Sequence, residues 1–420
     1  MKGKQETTCS NRVRQPRYFA LVAMLAGFLL IFPSNMLSQK EDFDLEASLE
    51  VKEMASLGES VNVKFTLYNT TDEPLIVLKW QTPLEGVIGE PFSVKRDGKE
   101  VSYFGILVKR GAPLPDEYVT IEPGAFVSSV VDLTNSYDFS QPGDYEIEFI
   151  SPSVSHVVRK ESAKARNLKK LGPVLMPSNI ATISITDNGG DGSPNGPSVF
   201  SDEQKEPKYG AKKEIVYTGC SGSEETTLKD ADTGASLNVS FVHAKLQGLS
   251  TAERQNFQLC KTWFGAHTAA RYARVLDNYN EIKEAFLDKK ITYNCSGTGC
   301  ASNWYAYVYA GGEIEVFLCP QFWSAPDSGT DSKFGVLIHE VSHEVADTDD
   351  HAYGETNCKN LAINDPGKAV DNADSHEYFS EHFKVDIGLP DFLMYSLILI
   401  LFIFLAAGVQ RYLKYRKSQA

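Results

Sequence analysis

Between residues 334 and 354 the chain reads F-G-V-L-I-H-E-V-S-H-E-V-A-D-T-D-D-H-A-Y-G, a run that few structures can accommodate. Val336, Leu337 and Ile338 supply the apolar face of a buried helix, and a helix brings His339 and His343 onto one face, one turn apart. Two imidazoles so placed can share one Zn²⁺, with Glu340 beside the metal to take a proton from its water. H-E-x-x-H alone is a short pattern that solvated helices also carry. What adds weight is the turn after it, which runs through Asp347, Thr348, Asp349 and Asp350 and is rich in oxygen ligands.

T-x-D-x-x-Y-G following H-E-x-x-H resembles the aspzincins, the deuterolysin and peptidyl-Lys metalloendopeptidase group. The resemblance implies one zinc per chain, with His339, His343 and Asp350 as ligands and Tyr353 helping to stabilise the tetrahedral oxyanion. The chain departs from the family pattern at Asp347, where Gly is usual, and in a short spacing from His343 to Asp350. Further stretches fit in order: Tyr217-Thr218-Gly219-Cys220-Ser221, Thr262-Trp263-Phe264-Gly265, Tyr305-Ala306-Tyr307-Val308-Tyr309, Phe317-Leu318-Cys319 and Gly329-Thr330-Asp331-Ser332. Beyond the zinc motif, Asn360-Leu361-Ala362, Asp365-Pro366-Gly367-Lys368-Ala369-Val370 and N-A-D-S-H-E-Y-F-S-E from Asn372 resemble the Lys-specific subgroup. The likeness covers residues 217 to 383.

A pocket that selects lysine needs a fixed anionic wall, because a buried ammonium without a partner is strongly disfavoured. Asp374 and Glu377 are three residues apart, so a helix start can direct both at one ammonium. The resemblance implies that they bind the lysine at P1′. Acidic runs in general are more often solvated loops. His376 and His382 are expected to be structural, since three protein ligands leave zinc its open fourth position. His351 either hydrogen-bonds a ligand or is simply exposed. The expected chemistry is hydrolysis of X–Lys bonds in extracellular proteins, Glu340 taking the water proton and returning it to the leaving amine.

The rest of the chain says where this happens. Residues 41–186 alternate with strand period, as in Val61-Asn62-Val63-Lys64-Phe65-Thr66-Leu67 and Tyr145-Glu146-Ile147-Glu148-Phe149. Turn clusters at 69–72, 96–99 and 141–144 punctuate them. This predicts an all-β, Ig-like sandwich, either a propeptide covering the active site or a permanent module binding substrate or cell surface. A Gly- and Pro-rich linker, 187–212, leads to the peptidase domain at 213–384, expected as a mainly α, zincin-like α+β fold. Lys205, Lys208, Lys212 and Lys213 offer that linker as a substrate for the enzyme itself, or simply solvate it. Residues 1–38 pair a basic start with an apolar run, a signal peptide or an uncleaved anchor. Residues 392–409 carry no charge and as a helix would span roughly 27 Å, close to a bilayer core, and basic residues follow at 410–420. A single-pass membrane protein with an external peptidase domain is expected.

Cysteine usage suits an oxidising compartment. Apart from Cys9, every cysteine lies in the peptidase region. The resemblance implies Cys220–Cys295 and Cys300–Cys319, which leaves Cys260 and Cys358 for a third bridge by elimination. A net charge of −14 argues against nucleic-acid partners and suits lysine-bearing proteins or peptides as substrates. The alternatives are an aspzincin of broad specificity and a surface binding protein that keeps the peptidase fold without turnover.

Overall fold

The computed structural model describes residues 44–80, 82–150, 157–159, 178–187 and 213–384. The expected signal segment, most of the linker, the apolar run 392–409 and the basic tail lie outside them. Among the described residues no helix is long and apolar enough to cross a membrane.

The N-terminal region is built from strands β1 (Leu45–Val51), β2 (Met54–Ser56), β3 (Asn62–Asn69), β4 (Leu75–Leu78), β5 (Phe92–Arg96), β6 (Lys99–Glu100), β7 (Ile106–Arg110), β8 (Tyr118–Ile121), β9 (Phe126–Asp132), β10 (Gly143–Phe149), β11 (Val157–Arg159) and β12 (Ala181–Thr186). They form sheets β1-β3-β9, β2-β12-β10-β5-β6 and β11-β4-β8. Alternation places Val63, Phe65 and Leu67 of β3 and Tyr145, Ile147 and Phe149 of β10 inside, so that each strand buries one face. Phe65 and Phe149 meet across the core with ring centroids 4.9 Å apart. Asp97 and Gly98, both at positive φ, turn the tight β5–β6 hairpin.

The C-terminal region adds β13 (Glu214–Thr218), α1 (Gly222–Gly248), α2 (Thr251–Asn256), α3 (Gln258–Phe264), α4 (Ala269–Asp288), β14 (Lys290–Asn294), β15 (Trp304–Tyr309), β16 (Glu315–Leu318), α5 (Pro320–Ser324), α6 (Lys333–Ala346), α7 (Glu355–Asn364), α8 (Pro366–Val370) and α9 (Ala373–His382). Helices α1, α4, α6 and α9 pack together, and Trp263 of α3 stacks on Tyr378 of α9 at 5.3 Å. The sheet beside them runs β13-β14-β16-β15-β7, larger than the hairpin at Gly311–Gly312 alone suggests. Its last strand is the surprise. β7 lies within the stretch expected to form the sandwich, yet it pairs antiparallel with β15 of the peptidase region.

Disulfides Cys220–Cys295 and Cys300–Cys319 are formed. The expected third bridge is not: Cys260 and Cys358 are free and buried. Cys260 packs on α3 near Phe264 and Tyr272, while the Cys358 thiol on α7 lies 3.4 Å from Ala352 O. Elimination failed because a buried thiol packs as a small apolar group and needs no sulfur partner.

Candidate active site

Helix α6 carries the centre. Ser332 caps it, its hydroxyl accepting from Gly335 N at 3.2 Å, and residues 335–343 are buried throughout. Gly335 permits a close approach to α9, since a Cβ there would meet Glu381 Oε1 at 2.2 Å. The helix ends on Asp347 in the left-handed region, φ 47° and ψ 49°. That conformation explains why glycine suits the position, and a short polar side chain is among the few that tolerate it.

The next turn brings Asp350 back over the two histidines. His339 Nε2 and His343 Nε2 are 3.2 Å apart, and Asp350 Oδ1 lies 3.2 Å from the first and 3.6 Å from the second. Ligands about 2.05 Å from a tetrahedral metal stand about 3.3 Å from one another, so these three atoms fit one Zn²⁺. Both rings are oriented from their far nitrogens. His343 Nδ1 donates to Thr348 O at 2.6 Å, and His339 Nδ1 faces Asp374 Oδ1 at 2.9 Å and Glu377 Oε2 at 3.4 Å. Each Nε2 is thereby left for the metal. The ligand loop is tied to the start of α9: Ala352 N donates to Asn372 Oδ1 at 2.8 Å and Gly354 N to Asp374 Oδ2 at 2.7 Å.

Glu340 is fully buried next to this triad. Its Oε1 accepts from Lys109 N at 3.1 Å, and its Oε2 has no hydrogen-bond partner among the described residues. Burial pushes its carboxyl up to about 8, with His339 opposing that and Asp350 adding to it.

A second cluster adjoins the first. The Lys109 ammonium of β7, wholly buried, lies 2.9 Å from Asp374 Oδ1, 2.9 Å from Glu377 Oε2 and 3.0 Å from Asp331 Oδ1. It also donates to Tyr378 Oη at 3.3 Å, and Tyr378 in turn donates to Asp331 Oδ1 at 2.7 Å. Burial disfavours the ammonium, but Asp374, Glu377 and then Asp331 more than offset it and hold its pKa well above the ordinary lysine value. Glu377 is itself pushed up by burial, whereas Asp374 is held down by Lys109 and His339 despite its own burial.

The residues singled out in the sequence thus fall into three places. His339, Glu340, His343 and Asp350 converge. Asp374 and Glu377 converge on Lys109 and touch His339. Tyr353 stands against Trp80, centroids 5.5 Å apart, and near the Arg110 guanidinium, on the wall of a cavity of about 430 Å³. His351 faces Asp349 at 3.8 Å, His376 Nε2 lies 2.9 Å from Val370 O, and His382 Nδ1 lies 2.9 Å from Tyr378 O. Three participants were not singled out: Lys109, Asp331 and Tyr378. Asp331 and Tyr378 sit in stretches that carry the family resemblance. Lys109 has no signal of its own, because Ile106-Leu107-Val108-Lys109-Arg110 reads as one more short strand.

A family model for lysine-specific metallo-endopeptidases, the aspzincins, matches residues 249–381. An extracellular protease of Aeromonas hydrophila is 34% identical over 345 residues, covering 80% of this chain and 92% of its own. A peptidyl-Lys metalloendopeptidase of Grifola frondosa is 31% identical over 342 residues, covering 77% of this chain and 88% of its own. A solved zinc peptidase from Grifola frondosa, 39% identical, covers 39% of this chain and 96% of its own with a TM-score of 0.35. With that sequence match across both regions and a donor set that fits zinc, the chain belongs to the aspzincin family and is a zinc metalloendopeptidase.

Proposed function

We propose that this peptidase cleaves polypeptides on the amino side of lysine, and that Asp374, Glu377 and Asp331 form its P1′ pocket. One observation carries the reading. A lysine side chain fills that pocket with its ammonium among three carboxylates, while the backbone N of the same lysine lies 3.1 Å from Glu340 Oε1. In an X–Lys substrate this nitrogen is the leaving amine, so one lysine satisfies the selectivity element and the proton carrier together.

Zn²⁺ held by His339, His343 and Asp350 would supply Lewis acidity and an acidified water when bound. The protein residues do the rest. Glu340, with one oxygen toward the leaving nitrogen and the other unpartnered, is placed to take a proton at Oε2 and release one at Oε1. The far-nitrogen contacts of His339 and His343 keep both rings from turning. Tyr353, on the wall of the adjoining cavity, is assigned to the oxyanion on the family resemblance. Residues 392–409 are read from composition alone as a membrane anchor. Retention of the full chain in the membrane fraction, and its release on truncation after Asp391, is the expected result.

The test uses zinc-loaded wild-type chain and Lys109→Ala, which empties the pocket, incubated with a denatured polypeptide of known sequence. Mass spectrometry should locate every cut before lysine, and none with Glu340→Ala. Cuts scattered over many residue types would remove the lysine assignment and keep the zinc chemistry.

A further inference from the structure

We infer that the carboxylate cluster around Lys109 is also a site for a hard divalent cation of the calcium and manganese class. The ion takes the ammonium's place when no lysine is seated and so competes with lysine-bearing substrates. The competition rests on the reading of Asp374, Glu377 and Asp331 as the lysine pocket; the ion site itself rests on geometry.

A cation already sits at this point. Four side chains each bring an oxygen to the Lys109 nitrogen: Asp374 Oδ1 and Glu377 Oε2 at 2.9 Å, Asp331 Oδ1 at 3.0 Å and Tyr378 Oη at 3.3 Å. Calcium holds its oxygens at about 2.3–2.6 Å, so each would close in by roughly half an ångström. A cage of oxygens alone suits calcium, magnesium or manganese, whereas the two imidazoles of the adjoining centre suit zinc. One carboxylate has capacity to spare. Glu377 is fully buried and its Oε2 faces the ammonium, yet its Oε1 has no hydrogen-bond partner among the described residues. A calcium-sized ion can take both oxygens of one carboxylate, which gives that idle atom a use. Asp374 is pinned differently: its Oδ2 accepts from Gly354 N at 2.7 Å, which keeps Oδ1 turned to the cage.

Charge favours the same exchange. Three carboxylates outnumber one ammonium, and an empty cage would leave all of them uncompensated in a buried place, where charge is tolerated only when paired. A dication neutralises more of that charge than the ammonium does. An ion has a way in, because Asp331 is about a third exposed and lines, with Tyr378, the cavity of about 430 Å³.

The experiment uses Mn²⁺, which is paramagnetic where Zn²⁺ is silent and which the nitrogen-bearing centre binds less tightly than zinc. Zinc-loaded full chain and Lys109→Met, which keeps most of the side chain's packing, are titrated with Mn²⁺ under electron paramagnetic resonance, and both metals are counted by atomic absorption. Wild type should keep its zinc and bind no manganese tightly, because the ammonium holds the place. Lys109→Met should bind one manganese beside its zinc, and adding Glu377→Gln should weaken that binding about tenfold or more. In hydrolysis of a peptide with a single X–Lys bond, manganese at about ten times its Kd should raise KM of Lys109→Met about tenfold and leave kcat unchanged. The inference is overturned if Lys109→Met binds no manganese, if wild type binds it equally well, or if KM does not move. Competition by manganese together with cuts at scattered bonds would uphold the ion site and remove the lysine reading instead. Should Lys109→Met fail to fold in zinc alone, refolding with and without manganese asks the same question. Recovery with manganese upholds the site, and equal failure in both overturns it.

Discussion

The two halves of the site are built in opposite ways. The metal half comes from one helix and the turn after it, with every proposed ligand within the stretch from His339 to Asp350. The lysine half is assembled from distant segments: Asp331 before α6, Asp374 and Glu377 on α9, and Lys109 from a strand in the N-terminal region. They meet at His339, whose Nδ1 faces Asp374 while its Nε2 faces the other ligands. A local half can keep its geometry while the assembled half changes its occupant. Separate construction lets Lys109 fill one half without disturbing the proposed ligands of the other.

If the halves are that distinct, damage to each should look different. The largest effect is expected from Glu340→Gln, which should lower kcat by about 10²–10⁴-fold and leave zinc content and melting temperature nearly unchanged. Chelation of zinc should abolish turnover as well, and atomic absorption alongside the assay separates the two causes. Asp374→Asn should strike both halves, since the side chain holds Lys109 and Gly354 N as well as facing His339. Breaking one member of a buried charge cluster costs about 3–5 kcal/mol, readable as a shifted urea midpoint, with a loss of preference for lysine over arginine in the peptide assay. An Asp374→Asn protein as stable as wild type would break the link between the halves.

Asp331→Asn sharpens the comparison on a smaller scale. Asp331 is about a third exposed, so its pair with Lys109 should contribute about 1 kcal/mol or less, and KM for X–Lys peptides should rise with kcat little changed. The smallest effect concerns Glu90, outside both halves. Burial, helped by Asp349 and Glu100, pushes its carboxyl up to about 7. A raised folded-state pKa means the folded protein holds the proton more tightly, so this contribution is fully present below about 4.5 and is lost as pH rises through about 7. Glu90→Gln should flatten the decline of stability across that window in thermal melts taken at several pH values.

The approach of His339 and His343 was legible in the sequence because helical spacing is a local rule: four residues make about one turn, whatever surrounds them. The alternation of β1, β3 and β10 was legible for the same reason. Asp374 and Glu377 could be paired through their spacing, although their target could not be located. Lys109 was out of reach, because nothing in Ile106-Leu107-Val108-Lys109-Arg110 distinguishes a sandwich strand from one that crosses to another sheet. The pairing of β7 with β15 is long-range, and long-range register is decided by tertiary packing. Cys260 and Cys358 teach a related lesson, since an even count of cysteines does not bring two helices together.

The residue after Lys109 has a consequence of its own. Arg110 is gripped by Glu85 through two parallel bonds of 2.9 and 3.0 Å, and its guanidinium lies over Trp80 at 4.8 Å and Trp304 at 5.3 Å. If the bond between Val108 and Lys109 were ever broken, the freed amine would remain clamped beside the carbonyl it had left. A fragment that cannot diffuse away favours resealing over departure, because its local concentration far exceeds that of a product loose in solution. The clamp would thus keep Lys109 seated among its carboxylates even if the strand were cut just before it.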